Sequence, residues 1–166
     1  GRLPGAGTAN LTSNGGCDVF FAKYNANGNY ISANNIVSTT EDVGYRIVVD
    51  GSGNIHIIGN FTNTADFDPG VGTANLTANG GDDIYFAKYD SNGKYLWAKI
   101  IEGSYSLWDV SHNIAVDIGG NVYITGNFQN TFDFDPGVGT AYLTSVGGND
   151  IYCAKYDTNG NYIWAN

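Results

Sequence analysis

The chain alternates between short apolar runs and clusters of Gly, Asn, Asp and Ser. Between residues 45 and 101 the apolar runs are "YRIVVD" (Tyr45–Asp50), "NIHIIGNF" (Asn54–Phe61), "DIYFAKY" (Asp83–Tyr89) and "KYLWAKII" (Lys94–Ile101). They are rich in β-branched and aromatic residues and bounded by turn residues, which predicts strands. The links "DGSGN" and "DSNGK" open on Asp, whose side chain can cap its own turn, and carry Gly where a positive φ is needed. They predict hairpins, and so a four-stranded antiparallel meander. Apolar residues stand at consecutive positions ("IVV", "IHII", "IYFA") rather than alternately, as in sheets covered on both faces.

The pattern repeats. Gly59–Ala98 aligned with Gly126–Ala165, an offset of 67, gives 30 identities in 40 positions. A partial third copy runs from Pro4, and "AKY" recurs at Ala22, Ala87 and Ala154, spaced 65 and then 67. The extra length falls in "EGSYSLWDVS". Each complete unit also carries the excursion "DFDPGVGTA" (Asp66–Ala74 and Asp133–Ala141) between its second and third strands. A repeated four-stranded meander covered on both faces is the blade of a β-propeller. A β-solenoid has much shorter coils, and a β-sandwich would not explain the internal identity.

"IAVDIGGNVYITGNF" followed by "GGNDIYCAKYDTNGNYIWA" resembles the bacterial SBBP-type β-propeller repeat, a "GIAVD-x-x-GN-x-Y-x-TG" hairpin and then "D-x-[FY]-x-AK-[YL]-[DN]-x-x-G". The resemblance covers nearly all of the chain. Its "FDPG" insertion resembles a subgroup found in large secreted proteins of environmental bacteria. It implies a propeller of several blades on an exported or surface protein, and no catalytic residues.

The expected fold is therefore all-β: residues 1–37 as the C-terminal half of a blade, 38–101 as a full blade and 102–166 as another. That is about two and a half blades, against about 4–8 in closed propellers. Copies of the chain could not close a ring without leaving sheet edges unpaired. The expectation is a fragment of a larger propeller, whose remaining blades would be its partners.

Composition narrows the functional classes. The chain has 24 Gly and 12 Tyr, and its net charge is −9 with only seven Lys and Arg. A nucleic-acid phosphate backbone needs a basic face, so nucleic acid is excluded as a partner, and an anionic membrane surface with it. No apolar run approaches the roughly 20 residues of a membrane helix, so no membrane insertion is expected. Low Lys and Glu with high Asn, Thr, Gly and Tyr fits a secreted or cell-surface β-protein. Cys153 stands where the other copies carry Phe21 and Phe86, which predicts a small buried apolar residue. Cys17 sits in a loop, and a Cys17–Cys153 disulfide is the minority alternative.

Four carboxylates are candidate calcium ligands. Asp66 with Asp68, and Asp133 with Asp135, stand at i and i+2 of extended chain and so on one side. Calcium wants about 6–8 oxygens, some of which Asn63 or Asn130 and backbone carbonyls would supply. The competing reading has Asp68 and Asp135 capping the Pro-Gly turn while Phe67 and Phe134 anchor the excursion in the core. Catalysis by these pairs is not expected, because the first copy lacks both acids. Asp18, Asp83 and Asp150, with Lys23, Lys88 and Lys155, recur on the third strand and predict a structural ion-pair or hydrogen-bond network. Tyr105 and Trp108, in the longer loop, are candidates for a binding role. His56 and His112 replace Tyr123 and Tyr45 as drift between amphipathic rings. No triad order or zinc cluster is present.

These observations predict a non-catalytic extracellular or cell-surface β-propeller scaffold or binding module, contacting a protein or glycan on a cell surface or in a matrix. The alternative is a calcium-stabilised propeller domain of a secreted hydrolase or a lectin-like protein. No cofactor other than calcium is implied.

Overall fold

The structure, a computed structural model, describes residues 9–79, 81–103 and 110–166, and the side chains of residues 110–112 lie outside that description. All regular structure among the described residues is β, in fourteen strands. The first sheet opens with β1 (Val19–Tyr24) and β2 (Tyr30–Ser38). The second unit consists of β3 (Asp42–Val49), β4 (Ile55–Phe61), β7 (Asp83–Tyr89) and β8 (Tyr95–Gly103). Between β4 and β7 lie the short strands β5 (Thr64–Asp66) and β6 (Asn75–Thr77). The third unit repeats this with β9 (Val110–Val116), β10 (Val122–Phe128), β13 (Asp150–Tyr156) and β14 (Tyr162–Ala165). Its short pair is β11 (Thr131–Asp133) and β12 (Tyr142–Thr144).

Each complete unit is an antiparallel four-stranded meander, β3-β4-β7-β8 and β9-β10-β13-β14, as in the blades of a β-propeller. The hairpin turns form as their residues dictate. Gly28, Gly53, Gly93, Gly120 and Gly160 take positive φ. The opening Asp or Asn accepts backbone N–H groups two or four residues on: Asp50 from Ser52 and Asn54, Asp90 from Asn92 and Lys94, Asp157 from Asn159 and Asn161.

The core lies between units rather than within one. Alternate residues of β7 point to opposite faces. Phe86 packs its ring 4.5 Å from Tyr156 of the third unit, while Tyr89 lies 4.7 Å from Phe21 of the first. One apolar cluster joins Ile58, Ile84, Phe86 and Ile101 to Ile114, Val122, Ile124 and Tyr152. A second joins Val19, Phe21 and Ile36 to Ile55, Ile57, Tyr85 and Tyr89. Every residue of β4 and β7 is consequently buried, each large apolar side chain contributing about 1.5–3 kcal/mol.

One expectation needs correction. Cys153 is exposed, and so is Cys17; both are free thiols. Phe21 and Phe86 are covered because a tyrosine of the following unit packs on each. No such ring reaches Cys153 among the described residues, and Ile151 on the same face is 81% exposed where Ile84 is fully buried. The third strand's Asp and Lys enter the expected structural network: Asp83 accepts the N–H groups of Asn79 and Gly103, and Lys88 reaches Asp50 and Thr158, so the two do not pair with each other. They stand five residues apart, which puts them on opposite faces and roughly 17 Å apart along the strand.

Candidate functional site

The excursion "DFDPGVGTA" is a hairpin that joins one unit to another. It begins at Asn63 and Asn130, both left-handed (φ 55° and 69°). Their carbonyls accept the N–H groups of Ala78 and Ser145, closing each hairpin at its base. β5 pairs with β6, and β11 with β12, and in each pair two threonine hydroxyls meet at 2.8 Å (Thr64 with Thr77, Thr131 with Thr144). Each hairpin then extends the outer strand of the preceding unit. Asp66 and Ala65 pair with Val37 and Ser38 of β2, while Asp133 and Phe132 pair with Glu102 and Gly103 of β8. The resulting sheet orders are β1-β2-β5-β6 and β12-β11-β8-β7-β4-β3.

The carboxylates of the excursion are engaged in its own turn. The Asp66 Oδ1 accepts the N–H groups of Asp68 (3.0 Å) and Ala74 (2.8 Å), and Asp68 Oδ1 accepts Gly70 N–H (2.8 Å). Asp133 and Asp135 repeat these bonds to Asp135, Ala141 and Gly137. Phe67 and Phe134 are fully buried, and the hydroxyls of Tyr89 and Tyr156 donate to their carbonyls at 3.0 Å. Asp133 and Asp135 also line a hollow of about 100 Å³ with Glu102, whereas Val37 takes the place of Glu102 beside Asp66. Among the described residues no group of three or more His, Cys, Asp or Glu is arranged to hold a metal ion.

A polar network crosses the boundary between the second and third units. His56 is fully buried, with Nε2 3.3 Å from Asp50 Oδ2. Lys88 Nζ lies 3.7 Å from the same oxygen and donates to Thr158 Oγ1 at 3.3 Å in the β13–β14 turn. The Trp97 indole N–H donates to the Thr158 carbonyl at 3.2 Å. The preceding boundary has a simpler form, in which Lys23 Nζ donates to the Ser91 carbonyl at 2.8 Å in the β7–β8 turn. The third strand's lysine thus reaches the next unit's hairpin turn. In the third unit Lys155 sits 5.0 Å over the Tyr123 ring, and the Tyr123 hydroxyl donates to Asp117. His56 and Tyr123 both bring a ring-borne polar atom to the turn aspartate, which explains why one can replace the other.

Burial opposes ionisation of Asp50, but the Asn54 and His56 side chains and the turn N–H groups outweigh it and hold the carboxyl well below the usual range. Burial pushes His56 down and keeps it neutral; Asp50 pulls the other way and Lys88 adds to the depression. Asp83 is raised by burial, against the N–H groups of Asn79 and Gly103 that it accepts. These groups join turn to strand and unit to unit. They do not converge on a cleft with a nucleophile, a base and an oxyanion donor. Tyr105 and Trp108 lie outside the described residues. A structural network was expected of these residues, but that it runs between units escaped sequence reasoning; its one signal was that the lysine and the turn recur together in every copy.

No protein-family model matches the chain. It is 27% identical, over 175 aligned positions, to an uncharacterized WD repeat-containing protein, L264, of Acanthamoeba polyphaga mimivirus. The alignment takes in 96% of this chain but 12% of that protein. The chain therefore spans about an eighth of the length of the relative it matches, and the likeness agrees with the all-β repeat architecture.

Proposed function

We propose that the chain is a non-catalytic scaffold of propeller-type blades that binds other proteins, and that it works outside the cell as part of a longer run of blades. The observation that carries this reading is where the functional-looking groups go. The recurring acids, lysines and rings serve as turn caps and inter-unit ties, while the loop tips present apolar side chains to solvent. Val71 and Val138, at the tips of the two excursions, are fully exposed, as is Ile118 in a hairpin turn. Equivalent apolar tips on the two complete units suit a protein surface. The WD repeat-containing relative is in keeping with a repeat scaffold.

Proximity labelling in producing cells tests the binding role. Protein neighbours that disappear in the Val71→Ser/Val138→Ser double variant, with the melting temperature unchanged, support it. A glycan ligand retained by that variant would replace it with the lectin-like reading. Digestion of intact cells with a protease tests the location: an exported protein is removed, an internal one survives.

A further inference from the structure

Five Asn-Gly steps occur in the chain: Asn14–Gly15, Asn27–Gly28, Asn79–Gly80, Asn92–Gly93 and Asn159–Gly160. The step is reactive because a glycine nitrogen, with no side chain beside it, can reach the side-chain carbonyl of the preceding asparagine. The fold treats the five unequally. Three sit in hairpin turns, where both N–H groups are engaged. Gly28, Gly93 and Gly160 donate to the carbonyls of Asn25, Asp90 and Asp157 at 2.9, 2.9 and 3.0 Å. Asn27, Asn92 and Asn159 donate their own N–H groups to the side chains of the same three residues.

Asn14–Gly15 stands instead in the exposed loop before β1. The Asn14 N–H is held by Asp18 Oδ2 at 2.9 Å, but the Asn14 side chain and the Gly15 N–H have no hydrogen-bond partner among the described residues. This freedom belongs to the loop and not to its place near the first residue. The third unit has Val146–Gly147 at the same point, with the Val146 N–H held by Asp150 and the Gly147 N–H equally free among the described residues. Val146 also shows that the loop closes without an asparagine. At the remaining step Gly80 is outside the described residues, and the Asn79 side chain is tied to Glu102 at 3.3 Å.

We infer that Asn14 is a site of spontaneous deamidation, at which the chain modifies itself with water as the one co-reactant. The Gly15 nitrogen bonds to Asn14 Cγ and gives up its proton. The Cγ–Nδ2 bond breaks, and the side-chain nitrogen leaves with that proton as ammonia. Water then opens the succinimide ring at either carbonyl, leaving aspartate or isoaspartate. A neutral residue becomes a carboxylate four residues from Asp18, which already receives its N–H. The iso product also adds a methylene to the main chain. Gly15 cannot absorb it in place, because it sits so close to the Thr39 backbone that even a Cβ would collide. In the hairpin turns the same attack must wait until the turn opens and both hydrogen bonds are lost. The inference does not rest on the binding role proposed above.

The test is incubation of the intact folded chain at pH 8, with peptide mapping by mass spectrometry to follow each asparagine. Asn14 should convert roughly tenfold faster than Asn27, Asn92 and Asn159, and the four rates should converge in urea, where the turns are gone. An Asn14→Val chain, which copies Val146, should melt as wild type does and lose the fast conversion. Equal rates in the folded chain, or Asn14 slower than a turn asparagine, would overturn the inference. So would a difference that persists in urea, because it would then come from neighbouring sequence and not from the fold. The comparison of folded with unfolded wild type decides the matter even if the variant fails to fold.

Discussion

Asp42 opens β3, opposite Phe61, and is 3% exposed. Neither of its carboxylate oxygens has a full hydrogen-bond partner among the described residues. Burial pushes its pKa from 3.8 up to about 6; the Ser38 side chain and the Thr62 backbone offset part of the rise, and the charge on Asp18 adds to it. At about 1.4 kcal/mol per pH unit, the interval from 3.8 to about 6 makes the ionised carboxylate cost at most about 3 kcal/mol of folding free energy. Between those two pH values the folded chain holds a proton that the unfolded chain has released. The stability Asp42 permits is therefore full below pH 3.8 and falls as pH rises through about 6, with no further change above. Asp42→Asn removes the titration. Urea unfolding followed by tryptophan fluorescence, on both proteins from pH 4 to 8, isolates the effect as a difference, so other acids cancel. The variant should gain about 2–3 kcal/mol relative to wild type on going from pH 4 to pH 7.5. A difference independent of pH would refute the reasoning, whatever its size, because loss of packing alone does not titrate.

His56 should leave the opposite signature. Its folded pKa lies below 6.5, so its contribution is present above pH 6.5 and is lost as pH falls; His56→Tyr, which imitates Tyr123, should remove that loss in melts at pH 5 against pH 7.5. The excursion carboxylates can be tested by chelation: if Asp66 and Asp68 serve their own turn, a chelator leaves the melting temperature unchanged and Asp68→Ala lowers stability by about 1 kcal/mol, whereas a drop of several degrees in chelator establishes calcium. Phe67→Ala, deleting a fully buried ring, should cost about 3–5 kcal/mol in denaturant unfolding.

The meander and its turns were legible because their causes are local. An Asp that takes N–H groups two and four residues on, with a left-handed Gly beside it, writes itself into five consecutive residues, as at Asp50–Asn54 and Asp90–Lys94. The role of Phe67 was legible too, since a single Phe amid Asp, Pro and Gly has few other uses. Cys153 was misjudged because its burial depends on a ring from another unit, which its own neighbours in sequence cannot reveal. That Lys88 belongs to a structural network was legible, but its partner was not, because strand parity separates it from Asp83 and the turn that receives it lies about 70 residues away. Tyr105 and Trp108 fall outside the described residues, so their proposed role is untouched.

The union of each excursion with the preceding outer strand left one trace in the sequence, and it supports a sharper prediction. At this contact Ser38 faces Ala65 in one copy, and Gly103 faces Phe132 in the next. The two pairs exchange bulk. Where the excursion brings Phe, the outer strand has Gly, and a Cβ on Gly103 would run into the Phe132 ring; where it brings Ala, the strand tolerates Ser. Both Ala65 and Phe132 are fully buried, so neither can swing into solvent. Gly103→Ser should therefore destabilise by about 1–3 kcal/mol through overpacking. Phe132→Ala alone should cost about 3–5 kcal/mol through its cavity. The double variant restores the Ser–Ala pairing of the first contact, and should be more stable than the sum of the two losses by at least about 1 kcal/mol in a double-mutant cycle. Strict additivity would mean that the two residues do not share this contact, and that the excursion does not dock on β8 as described. Coupling would establish that the insertion is matched to the preceding unit residue by residue, so that moving an excursion from one copy to another requires moving its acceptor as well.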